Sequence, residues 1–82
     1  MKAAFLWDEE NTAHTAEHGH TIAEVERAVQ DPRNEFITSR SSGRPGMVIR
    51  TRPGVRYAVF WDQIKAVPWT IRVTTMYEVP LR

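Results

Sequence analysis

The sequence predicts an α+β fold in the order β-α-α-β-β-β-β, with two N-terminal helices packed on one face of an antiparallel sheet. Three observations predict it. Residues 8–30 carry two successive sets of helix start and stop signals. Beyond Pro32 the chain turns to short blocks rich in Val, Ile, Thr and aromatic residues. Gly and Pro punctuate those blocks at hairpin spacing.

Each element has its own reason. Residues 3–7 (A-A-F-L-W) form an apolar run that ends at Asp8 and reads as a first strand. Asp8 is suited to an N-cap, and Glu9 and Glu10 favour the positive end of a helix dipole. The first helix then covers 9–17, with Asn11, His14 and His18 on one face and Ala13, Ala16 and Thr12 giving a thin apolar side. Gly19 sits where a helix end wants a left-handed residue. Thr21 and Glu24 have the spacing of a capping box, and the second helix runs to about Gln30 with Ile22, Val25, Ala28 and Val29 as its buried stripe. Asp31-Pro32 stops it, because the residue before proline is pushed out of the α region. Strands are expected over 35–39, 47–51, 55–62 and 69–77. A loop at 40–46, a Pro53-Gly54 turn and a connection at 63–68 join them.

Eighty-two residues make one domain, 1–82, with a small core. Mean hydropathy is −0.46, and no apolar run approaches the roughly 20 residues of a membrane span. The stretch after Lys2 is too short for a signal peptide. With no cysteine in the chain, disulfides and thiolate zinc sites are ruled out, which suits a cytoplasmic protein. Net charge is +1, but residues 1–35 carry eight acids and three bases while residues 36–82 carry eight bases and two acids. Nine of the eleven bases are arginine, whose planar fork suits phosphate and carboxylate. A basic half beside an acidic half points to an anionic partner; the plain alternative is a solvated face with internal ion pairs.

His14 and His18 stand one helical turn apart, which is metal-ligand spacing but only half a zinc site. No metal or other cofactor is therefore expected. Proton transfer, RNA contact or simple packing remain open to these histidines. On the sheet, alternation puts Val48, Arg50 and Arg52 on one face and Met47, Ile49 and Thr51 on the other, with Arg72 pointing away from Ile71 and Val73. Tyr57 and Trp61 are expected beside Arg50 and Arg72, making an open basic and aromatic surface of the kind that binds RNA. The alternative has Arg50 and Arg72 paired with Asp62, Glu35 or Glu78 across strands. The chain has no nucleophile motif, phosphate-binding glycine loop or catalytic carboxylate pair. Hydrolysis by Arg, His and Tyr is still feasible on RNA, whose 2′-hydroxyl is an internal nucleophile.

The pattern W-D-x-x-N-x-x-H-x-x-x-H-G-x-T-x-x-E-V-E over residues 7–26 resembles the N-terminal half of BrnT-type toxins and their relatives. R-S-S-G-R at 40–44, Arg50-Thr51, Gly54 and Arg56-Tyr57 are similar to their sheet region. The resemblance spans most of the chain and is more specific in its first half. It implies a RelE-like fold, metal-independent endoribonuclease activity on mRNA, and neutralisation by a ribbon-helix-helix antitoxin. On this reading His14, His18, Arg50 and Arg72 are the catalytic candidates. Arg40, Arg44, Arg52, Arg56 and Tyr57 are the RNA-binding ones. The chain departs from the pattern at Ile49, where a glycine is usual, and in residues 71–80, where a T-A-R-x-M-T stretch and a basic helix are usual. Those departures carry the alternative of a catalytically weak or inactive toxin-fold protein that acts as a protein-interaction module. Self-association into a homodimer is left open.

Overall fold

The computed structural model describes residues 3–79, so residues 1–2 and 80–82, including the end of the divergent final stretch, lie outside the described residues. Seven elements follow in the expected order: β1 (Ala4–Phe5), α1 (Glu9–Glu17), α2 (Ile22–Val29), β2 (Glu35–Thr38), β3 (Pro45–Arg52), β4 (Val55–Lys65) and β5 (Thr70–Val79). Local signals account for the helix boundaries. The Asp8 side chain accepts from the Asn11 amide while the Asn11 side chain accepts from the Asp8 amide, a reciprocal cap. Thr21 and Glu24 form the second such box. Gly19 has φ of 73°, the left-handed conformation expected there.

The five strands form one sheet in the order β1-β5-β4-β3-β2. Strands β2 to β5 are an antiparallel meander, but β1 runs parallel to β5, with Ala4 opposite Thr70 and Phe5 opposite Ile71. The expectation of an antiparallel sheet is thus corrected to a mixed one. After β1 the chain crosses to the far edge through two helices before the meander begins. Which edge β1 closes is a long-range choice that no local pattern encodes.

The core lies between the helices and one sheet face. Val25, Ala28 and Val29 of α2 pack with Met47 and Ile49 of β3, Tyr57, Val59 and Trp61 of β4, and Ile71, Val73 and Met76 of β5. The predicted α2 stripe is therefore seated as expected, with Ile22 half-buried at its start. Helix α1 behaves differently. It buries Asn11 and Thr15 and exposes Ala13 and Ala16, which corrects the thin apolar side expected of it. The reason is its position beyond the short β1, alongside the edge of β5. There the Asn11 amide donates to the carbonyl oxygens of Leu6 (3.0 Å) and Val73 (3.2 Å), supplying the partner that a longer β1 would have given β5. Among the described residues no helix is long and apolar enough to cross a membrane.

Candidate nucleic-acid interface

The sheet face opposite the helices carries the predicted charged residues, but in an arrangement that strand alternation alone does not give. Arg72 of β5 sits opposite Asp62 of β4, as alternation requires. Its Nε donates to Asp8 Oδ2 at 2.7 Å, not to Asp62. Asp62 instead accepts from Arg44 Nε at 2.9 Å. A row of alternating charge, Arg44, Asp62, Arg72, Asp8, therefore crosses the sheet toward the start of α1. The Arg72 guanidinium, together with the Asn11 amide, holds the Asp8 carboxyl below the usual carboxylate range, and Asp8 raises the Arg72 guanidinium in return. The expected cross-strand pairing of Arg72 with Asp62, Glu35 or Glu78 gives way to a pairing with the helix cap.

The aromatic residues of this face are not the expected ones. Tyr57 and Trp61 point into the core beneath the helices, 6% and 2% exposed, which corrects their placement beside Arg50 and Arg72. Alternation from Arg56 puts Ala58, Phe60 and Asp62 on the open face instead. The Phe60 ring lies over Gly46, where an added Cβ would come within 2.5 Å of Phe60 Cδ1 and of the Val59 carbonyl oxygen. Phe60 stacks on Tyr77, with ring centroids 6.0 Å apart and planes 30° apart. Tyr77, 49% exposed, is the aromatic ring this face offers to a ligand. It was missed because Arg72 and Tyr77 are an odd number of residues apart, so strict alternation separates them. A register shift carries them to the same face: Trp61 pairs with Val73 and Phe60 with Thr75, leaving Thr74 as the extra residue.

A second shift, between Arg50 and Arg52, separates the arginines of β3. Arg50 stays on the open side, directly opposite Arg56. Arg52 turns to the helices, donating to the Gly19 carbonyl at 2.9 Å and to Glu24 at 3.3 Å. This corrects the expectation that Arg50 and Arg52 share a face. Arg40 is exposed in the loop between β2 and β3.

The histidines form a line of edge-to-face rings leading inward. His14 meets His18 (centroids 5.7 Å apart), His18 meets Tyr57 (5.3 Å) and Tyr57 meets His20 (4.7 Å). His20 Nε2 lies 2.7 Å from the Thr51 hydroxyl. Tyr57, expected to contact RNA, is thus enclosed by His18 and His20. Sequence reasoning passed over His20 because it follows the helix stop. Its burial, 5% exposed, depends on β3 and β4 coming beneath it. Among the described residues no three His, Cys, Asp or Glu side chains are grouped to hold a metal ion.

His14 and Arg72 meet at the rim between α1 and β5. With Glu10, Asn11, Glu17 and Thr74 they line a cleft of about 440 Å³. His14 Nδ1 lies 3.6 Å from the Glu17 carboxylate, while His14 Nε2 is buried without a hydrogen-bond partner. Arg50 is remote from this cleft. The six residue steps along β4 from Arg56, opposite Arg50, to Asp62, opposite Arg72, span about 20 Å at roughly 3.3 Å per residue. Of the four catalytic candidates the fold therefore groups His14 with Arg72, sets His18 behind His14 against Tyr57, and leaves Arg50 apart. Chemically the cleft offers a cation for an oxyanion and an imidazole for a proton. The exposed Tyr77 ring stands apart from it, five residues along β5 and opposite Ala58.

Comparison with protein-family models, with curated proteins and with solved structures found no match.

Proposed function

We propose that this chain is a toxin of the BrnT type with a RelE-like fold, a metal-independent endoribonuclease that acts on mRNA in the cytoplasm and is neutralised by a ribbon-helix-helix antitoxin. The observation that carries the reading is the single cleft shared by His14 and Arg72 at the rim of the open sheet face. RNA supplies its own nucleophile, so the protein needs to position the 2′-hydroxyl, move a proton and stabilise charge on the phosphate. Arg72 would exchange the Asp8 carboxylate for the scissile phosphate, His14 would carry the proton, and Tyr77, further along the open face, would stack a base away from the cleavage point.

The experiment is expression of the gene alone, followed by incubation of the purified protein with RNA in the presence of a chelator. Growth arrest and chelator-resistant cleavage are expected, with cleavage falling at least about 100-fold in His14→Ala and in Arg72→Ala. A second reading is favoured by the 2.7 Å pairing of Arg72 with Asp8 and by the distance of Arg50 from the cleft. On it, the chain is a catalytically inactive member of the same fold that works through protein partners. Folded protein that leaves growth and RNA untouched would establish that reading over the first.

A further inference from the structure

Outside the His14/Arg72 cleft, arginines gather at one other place on the open side of the sheet. Arg50 and Arg56 are direct cross-strand partners. Like charges in that relation repel and destabilise a sheet unless something anionic lies between them. Arg33, from the turn between α2 and β2, joins them around a small cleft of about 80 Å³ with Asn34, Glu35 and Val48. The gathering has a topological cause. Strand β2 begins at Glu35, opposite Val48, so β3 runs past it and Arg50 stands at an uncovered corner. Asp31 takes Arg33 in a two-pronged ion pair, with distances of 3.1 Å and 2.8 Å. Asp31 is held down to about 2 by that guanidinium and the Arg33 amide. Glu35 is the acid on the cleft wall. Arg50 is exposed and makes no hydrogen bond or ion pair among the described residues, unlike Arg52 and Arg72 on the same sheet.

We infer that Arg33, Arg50 and Arg56 form a phosphate subsite, in which the Arg50 fork binds a phosphate of single-stranded RNA away from the point of cleavage. The inference rests on the RNA reading above and gives Arg50 a different part in it, as an anchor and not as a catalytic group. A guanidinium fork matches two phosphate oxygens, the adjacent arginines supply the field, and the Asn34 amide lines the same wall. The space takes an ion of phosphate size and no nucleoside, so the base belonging to that phosphate must lie outside it. The exposed Tyr77 ring and the Arg72 cleft lie along the sheet from this corner, about 20 Å away at the far end by the strand rise. A strand of RNA held at Arg50 is thereby led across the open face toward Arg72.

The test uses the full chain and short oligoribonucleotides carrying 2′-O-methyl groups, which bind but have no free 2′-hydroxyl to react. One has a 5′-phosphate and one a 5′-hydroxyl, and affinity is measured over a range of salt. Arg50→Gln is expected to weaken binding about tenfold and to flatten the salt dependence by about 0.7, since one phosphate fewer is neutralised, with a melting temperature no lower than the parent protein's. Arg50→Lys is expected to recover the salt dependence and only part of the affinity, because it keeps the charge without the planar fork. Weakening confined to the 5′-phosphorylated strand assigns the subsite to a terminal phosphate; equal weakening on both assigns it to an internal one. Either supports the inference, and identical affinity and salt dependence in Arg50→Gln and the parent protein overturns it. Arg50-dependent binding by a protein that cuts no RNA leaves the subsite standing and removes the nuclease reading. Cleavage of ordinary RNA that depends on His14, with binding indifferent to Arg50, does the reverse.

Discussion

His20 shows how a single residue ties pH to stability in this fold. Its ring is buried, with Tyr57 edge-on, Nε2 against the Thr51 hydroxyl and Nδ1 without a partner. Burial lowers its pKa from the ordinary 6.5, and the nearby Arg52 lowers it further, while Glu24 acts in the opposite sense. His18 is the other titratable ring facing the same tyrosine. A histidine whose folded pKa is depressed is taken up as the neutral form, so the unfolded chain binds protons first as pH falls. The stability associated with neutral His20 is complete above about 6.5 and is lost as pH drops through the lower folded value. Melting temperature should therefore decline as pH falls below about 6.5, and His20→Gln should remove that decline. The acid limb from Asp31, Asp8 and Glu24, below their ordinary values of 3.8 to 4.5, should remain in the variant. A parent protein with a flat profile from about pH 7 to 5 would contradict the assignment.

At the scale of elements, α1 is held by polar contacts more than by apolar burial, and Asn11 is its main fastening. The residue is 3% exposed and bonds the Asp8 amide and the carbonyls of Leu6 and Val73. Asn11→Ala strands two carbonyl groups at the edge of β5 and should cost about 2–3 kcal/mol, measured by chemical denaturation. Asn11→Asp should rescue little, since a carboxylate has no donor for those carbonyls. A cost below about 0.5 kcal/mol would mean that water replaces the amide. The Asn11 bonds also show what the sequence could and could not disclose. Helix starts at Asp8 and Thr21, the stop at Gly19 and the break at Asp31-Pro32 were legible because each acts within about four residues. The strand blocks were legible for the same reason. The bond from Asn11 to Val73 and the ion pair from Asp8 to Arg72 were not, since each depends on β1 closing against β5. The faces of Tyr77 and Arg52 were hidden by single-residue register shifts, which break the two-residue period on which strand reading depends. His14 and Arg72 were each legible as candidates; their shared cleft was not.

In the whole molecule the charge asymmetry of the chain is partly taken up by folding. The acidic first half and the basic second half meet in Asp8–Arg72 and Glu24–Arg52, and Arg44 takes Asp62 within the second half. Of the arginines on the open sheet face, Arg50 stands exposed, while Arg72 becomes available once Asp8 is displaced. The two halves are also joined by backbone. Ala4 N–H donates to the Trp69 carbonyl at 2.8 Å and Leu6 N–H to the Ile71 carbonyl at 2.9 Å. A chain cut after Lys65 should lose amide protection throughout α1, whereas persistence of that protection in hydrogen exchange would show α1 to be independent of β5. The parallel closure of β1 on β5 has a further consequence during synthesis. At about 5–20 residues per second, the interval between making Ala4 and making Thr70 is on the order of 3–13 s. Through that interval the first strand and first helix have no seat, while the β2–β3–β4 meander can already pair. The N-terminal segment of a nascent chain is thus the last part to settle, and it is the part open to capture by a chaperone or a co-translated partner.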